Sequence, residues 1–260
     1  LNLFGLIIIV SIFTGQSPIY LLSGLGALTA VLMLVFKDTI LSFVSSIQIS
    51  SNDLFKIGDW VEAPQFGADG DVIDIGLHTI KIQNWDKTIS IIPTHKLVDS
   101  SFKNWRGMSD SGGRRIKRSI NIDINTIKFC NDKLIDKFKA VKIISEYINA
   151  KLSEIDSHNA KLDTKSLING RALTNIGTYR AYIKAYLKNN KHIHNNMTFL
   201  VRQLSPTEKG LPIEIYVFSN NTNWVEYEEI QSDIFDHLLS VLNQFELKVY
   251  QYPSGSNLNV

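Results

Sequence analysis

The pattern of apolar and polar positions changes period along the chain, and each change marks a different kind of element. From Leu1 to Phe36 apolar residues dominate and no Asp, Glu, Lys or Arg occurs, so all 27 basic and 25 acidic residues follow. Ile19–Phe36 carries side-chain polarity only at Tyr20, Ser23 and Thr29. As a helix it reaches roughly 27 Å, about the hydrocarbon thickness of a bilayer. Leu1–Phe13 is equally apolar but too short to span. With no initiator Met, it reads as the remaining half of a helix whose beginning is missing. Thr14-Gly15-Gln16-Ser17-Pro18 is a turn between the two. A cleaved signal peptide does not fit, because no basic segment precedes the apolar stretch and the stretch resumes after the turn.

After Phe36 the pattern becomes amphipathic. Phe36, Ile40, Phe43, Val44 and Ile47 recur at helical spacing, with Ser42, Ser45, Ser46 and Gln48 between them. This segment is too polar to span lipid and predicts an interfacial helix over 37–52, its apolar stripe against protein or the membrane interface. Lys37-Asp38 then sits where the span leaves the bilayer and charges can be hydrated. From Asp53 the period drops to two. Trp60–Glu62, Val72–Ile75, Thr79–Ile82 and Thr88–Ile92 are short β-branched strands. Turns at 56–59, 67–70 and 84–87 separate them. Four to five such strands in about fifty residues predict a small barrel or half-barrel over 53–106. A Ser/Gly linker, Gly107–Arg115, leads to an α+β domain over 114–253. Its predicted elements are a strand at 116–124, a helix at 132–155, a polar loop insertion at 157–169 and a strand at 174–180. A helix at 181–188, strands at 197–204 and 212–218, a helix at 225–244 and a strand at 247–252 follow. Residues 254–260 read as a flexible tail.

Composition sharpens this division. A net charge of +2 with 44% hydrophobic residues describes an ordinary globular average, which conceals the uncharged N-terminal part. The 14–18 loop lacks Lys and Arg, so the positive-inside rule puts it outside and the large C-terminal part in the cytoplasm. The one cysteine, Cys130, forms no intrachain disulfide and fits a reducing compartment, as a packing residue rather than a reactive thiol.

Candidate chemistry is sparse. Ser23-Gly24-Leu25-Gly26-Ala27-Leu28-Thr29-Ala30 concentrates small residues within the span, which lets helix backbones approach closely in lipid. Gly24, Gly26 and Ala27 are the candidate packing residues, with Ala30 on the same packing face. A nucleotide loop would need a preceding strand and a third glycine. Several copies around an axis would enclose a lumen, narrowed by Leu34 with Val31 or Met33, and an apolar ring closes a pore by dewetting. Helical periodicity alone leaves lumen-facing and lipid-facing readings of Leu34 open. His192-Ile193-His194 has the wrong spacing for a shared helix face and reads as a solvated turn, not a metal pair. Arg114-Arg115-Ile116-Lys117-Arg118 is a charged edge that could also meet anionic headgroups or bias ions. Trp85 and Trp105 read as barrel packing. No triad, nucleophile elbow or P-loop occurs, so neither an enzyme nor a cofactor is expected.

The segments Lys37–Phe43, Phe55-Lys56-Ile57-Gly58-Asp59-Trp60-Val61, Gly70–Gly76, Thr88–Leu97 and Phe102–Trp105, in this order, resemble the small-conductance mechanosensitive channel (MscS) family. Thr174–Tyr182 and Ile230–Leu239 further resemble its mini-conductance subgroup. The resemblance implies a homoheptamer in a bacterial inner membrane, multi-pass, opened by membrane tension on hypo-osmotic shock to release ions and small solutes. It implies one to two membrane helices here with others preceding them, an Sm-like β-barrel and a ferredoxin-like α+β domain that together build a cytoplasmic vestibule. By position, the lumen-narrowing residues fall on Ala30 and Leu34, and the kink falls on Lys37 and Asp38, where charge placement replaces a glycine. Lipids and permeating solutes are the implied partners. The alternative is a membrane-tethered module whose Sm-like ring binds RNA or protein without channel activity. Residues 53–105 are acid-rich, so a nucleic-acid partner is not expected.

Overall fold

The structure, a computed structural model, describes residues 2–160, 162 and 167–252. The predicted tail at 254–260 and part of the predicted insertion lie outside them. Residues to Gly107 form one compact unit and those from Met108 a second.

Helix α1 (Asn2–Thr14) ends at a turn made by Gly15, whose φ of 68° suits a residue without a Cβ. Ser17 then caps α2 (Pro18–Ser51), its hydroxyl accepting the Ile19 N–H at 3.3 Å. Pro18 occupies the first turn, where its missing N–H costs nothing. α2 runs unbroken for 34 residues, about 51 Å. Residues 37–51 thus continue the span within the same helix, and Lys37-Asp38 is no helix end. From Ala27 to Ser51 the sequence has neither Gly nor Pro. Lys and Asp keep their backbone N–H, so nothing there breaks the ladder.

Five antiparallel strands follow: β1 (Trp60–Ala63), β2 (Ala68–Ile75), β3 (Thr79–Asn84), β4 (Ile89–Pro93) and β5 (Lys103–Asn104), in the order β4-β3-β2-β1-β5. Alternating Val61, Ala63, Ala68, Val72, Ile80 and Ile82 fill the core, and Ile49 of α2 and Phe55 join it. The turn predicted over 67–70 is confined to Gly67. Ala68, Asp69 and Gly70 pair with Ala63, Glu62 and Val61. Gly70 is a close-approach glycine, since a Cβ there would meet the Gln83 carbonyl oxygen at 1.9 Å. Between β4 and β5 lies an unpredicted short helix, α3 (Thr94–Val98).

The predicted linker is partly helical. α4 (Arg106–Ser111) stops at Gly112, φ 65°, and β6 (Arg114–Ile122) begins two residues on. The single helix predicted at 132–155 is two, α5 (Asp132–Lys139) and α6 (Lys142–Asn159). Phe138 and Ile144 are both buried, and a six-residue spacing does not keep one helix face inward, so the break restores the phase. The strand predicted at 174–180 is instead the start of α7 (Asn175–Lys188). The Thr174 hydroxyl accepts the Gly177 N–H at 3.2 Å as its cap, and buried Ile176, Tyr179, Ile183 and Leu187 have helical spacing. β7 (Leu200–Gln203), β8 (Leu211–Ser219) and α8 (Trp224–Ser240) complete the unit. The last predicted strand is reduced to one antiparallel bridge, Val249 to Ile122. It lies on the side of β6 away from β8 in the sheet ordered β6-β8-β7.

Candidate functional site: the apolar helix and its seat

Among the described residues nothing buries the most apolar part of α2: none of its best 18-residue window is buried. Leu34 is 75% exposed and Val35 68%. A helix apolar on every side needs lipid or other helices around it. The Ser23 and Thr29 hydroxyls are already satisfied, Ser23 donating to the Tyr20 carbonyl and Thr29 to that of Leu25, both at 2.8 Å, so neither donor is left to hydrocarbon. A Cβ at Gly24 or Gly26 would meet nothing within 4 Å. Glycine in a helix interior costs roughly 0.5–1 kcal/mol relative to alanine, so the fold of the isolated chain gives no reason for either. Helical geometry puts Gly26, Ala30 and Leu34 on one stripe with Ala27 beside it, and sets Gly24 on the far flank. Lys37 and Asp38 lie in the next turn, before the helix meets the β unit.

That meeting is a seat made of small polar side chains. Ser42, Ser45 and Ile49 are the buried residues of α2. Ser42 Oγ and His95 Nδ1 share a hydrogen bond of 3.0 Å, with the residues only 3% and 7% exposed. Ser46 donates to the Leu77 carbonyl at 3.2 Å. His95 is held by α3, whose Thr94 N–H donates to the His78 carbonyl and whose Thr94 hydroxyl donates to that of Gly76. The serine face thus docks on protein, because short hydroxyl side chains let α2 approach the β unit. The apolar stripe remains open, with Phe43 53% and Ile47 52% exposed. The pairing of Ser42 with His95 was missed in the sequence. Its signal was a histidine directly after the strand-ending Pro93-Thr94, which only the fold brings beside residue 42.

The β unit is closed by an ion-pair cluster. Arg106 Nε donates to both Asp59 oxygens, at 2.9 and 3.1 Å, and its Nη1 donates to Asp53 at 2.9 Å. Asp59 also accepts the Lys56 N–H at 2.8 Å and the Asn104 amide at 3.1 Å. Burial raises the Asp59 pKa, but these donors outweigh it and hold the carboxyl below the usual aspartate value. The Asp59 contacts raise the Arg106 pKa. Trp60 stacks on Trp105 at 4.5 Å and meets Trp85 edge-on at 5.2 Å. The indoles of Trp60 and Trp85 both donate to Asp69 Oδ1, so these rings pack and brace the sheet. In the second unit Arg114 covers the Tyr227 ring and Arg118 the Phe235 ring, at 4.5 and 4.3 Å. His194 Nε2 hydrogen-bonds the Gly112 carbonyl at 3.1 Å. Among the described residues no cluster of His, Cys, Asp or Glu could hold a metal.

The family models "Mechanosensitive ion channel, beta-domain" and "Mechanosensitive ion channel MscS, C-terminal" match residues 38–107 and 175–249, together over half of the chain. The small-conductance mechanosensitive channel MscMJ of Methanocaldococcus jannaschii is 32% identical over 55% of this chain and 35% of its own length. An MscS family protein of Helicobacter pylori is 22% identical over 90% of this chain and 34% of its own length. The chain thus spans about a third of the curated relatives it matches. The cryo-EM structure of wild-type MSL1 from Arabidopsis thaliana superposes with a TM-score of 0.63 at 14% identity, covering 92% of this chain and 66% of that one.

Proposed function

Since the chain belongs to the MscS family, whose members are channels rather than enzymes, we propose that it is the pore-forming part of a tension-gated channel. The observation that carries this reading is the bare apolar span of α2, continuous in one helix with a seat on the β unit. Copies of the chain, seven by the family likeness, assemble with α2 around a lumen in a multi-pass inner-membrane protein whose two soluble units are cytoplasmic. Gly26, Ala27 and Ala30 form the close-packed face, and Gly24 serves the opposite flank. Leu34 is the narrow ring. Ala30, one turn away, forms a wider one. Lys37 and Asp38 are hydrated at the membrane boundary, and α2 bends there during gating.

Tension favours the state with the larger area in the membrane plane, acting as a ligand acts on a two-state equilibrium. Helices separate, the Leu34 ring widens, water enters, and ions and small solutes follow. Asp38→Ala tests the bend. A changed threshold is expected, while unaltered gating would reduce Asp38 to a marker of the interface. The RNA-ring alternative finds no support in the β unit, where residues 53–106 carry eight acidic side chains against six basic ones. Patch recording under suction on reconstituted protein tests the channel itself, and the expected result is a pressure-evoked current.

A further inference from the structure

The second unit contains a cavity of about 160 Å³ that the channel reading does not use. Its walls are Phe138 and Val141 from the α5–α6 junction, Tyr182 from α7, and Val241 and Phe245 from the turn after α8. Phe138 and Phe245 stack at 5.1 Å, and Tyr182 tilts against Phe245 at 5.3 Å. Tyr182 satisfies its hydroxyl on His237 Nε2 at 2.7 Å. The walls are therefore apolar and aromatic, and the volume matches one that holds a single benzene ring: an apolar cavity of about 150 Å³ stays dry and takes benzene.

The two polar lining residues are Lys137 and Gln244. Lys137 is exposed and makes no ion pair among the described residues. Lys133 lies one helical turn away from it. Both lysines act electrostatically on Glu246, whose own partner is Lys128, and Asp136 pairs with Lys139. The charge around Lys137 is thus positive in excess, beside an aromatic slot that opens to the surface. We propose that this cavity is a binding site for a small monocarboxylate bearing one aromatic ring, with the ring among Phe138, Tyr182 and Phe245 and the carboxylate on the Lys137 ammonium.

Isothermal titration of the full chain in amphipol tests this with benzoate, benzyl alcohol and benzylamine, each read against the Val141→Trp variant so that partition into amphipol cancels. Saturable binding of benzoate is expected, weaker for the alcohol and absent for the amine. Lys137→Gln, an exposed change that leaves the fold intact, is expected to weaken benzoate roughly tenfold and leave benzyl alcohol unchanged. Val141→Trp is expected to abolish both. Equal binding of benzylamine, or an unchanged benzoate affinity in Lys137→Gln, would overturn the charge assignment. Absence of any saturable heat would show the cavity to be closed by a second copy or unused, and would overturn the site.

Discussion

Ser42→Ala is the sharpest probe of how the membrane helix is tied to the β unit. The change removes one oxygen and leaves the shape nearly intact, but it strands His95 Nδ1 where the residue is 7% exposed. An unpaired buried polar group costs about 1–3 kcal/mol, which is roughly a 5- to 150-fold change in an equilibrium constant. If the bond latches α2 to its seat in the closed state and breaks when α2 moves, the whole cost falls on the closed state. The variant then opens at lower tension. Patch recordings of Ser42→Ala, His95→Ala and the double variant form a cycle. The account predicts that each single variant lowers the threshold and that the double variant adds little, a coupling of about 0.5–3 kcal/mol. Additive shifts, or a lowered melting temperature with an unmoved threshold, would show that the contact holds the fold without taking part in gating.

Leu34→Ser is expected to lower the opening threshold by wetting the ring. An unchanged threshold would remove Leu34 as the constriction, and conductance recordings decide. The Asp59 carboxyl is held below the ordinary 3.8, so its stabilising contribution is present above that value and lost as pH falls through the depressed one. Acid unfolding should therefore show a limb below about pH 4 that Asp59→Asn flattens, as followed by circular dichroism. Burial pushes the Cys130 thiol up to about 11, so it is expected to resist alkylation at neutral pH in the folded chain and to react once denaturant is added, as mass spectrometry would show.

Local signals read well from the chain wherever one residue type decides the geometry. The turn at 14–18 separated two helices, and β-branched alternation gave the strands of the first unit. The misreadings come from partners that a short window of sequence does not show. Thr174-Asn175-Ile176 alternates like a strand, yet the Thr174 hydroxyl caps a helix whose buried side is visible only once Tyr179 and Ile183 are counted with Ile176. Gly70 looked like a turn residue because nothing nearby shows that the Gln83 carbonyl will press on it. Charge alone does not end a helix, so α2 runs on through Lys37-Asp38. The serine face of α2 was legible as polar. That it is the docking face, with the apolar stripe left open, depends on His95 arriving from 53 positions away.

The central claim is that α2 lines a pore that tension opens. Suction applied to a patch of bilayer holding the purified chain measures this directly. The account predicts stepwise currents that appear above a pressure threshold and vanish on release. Silence up to patch rupture would contradict it.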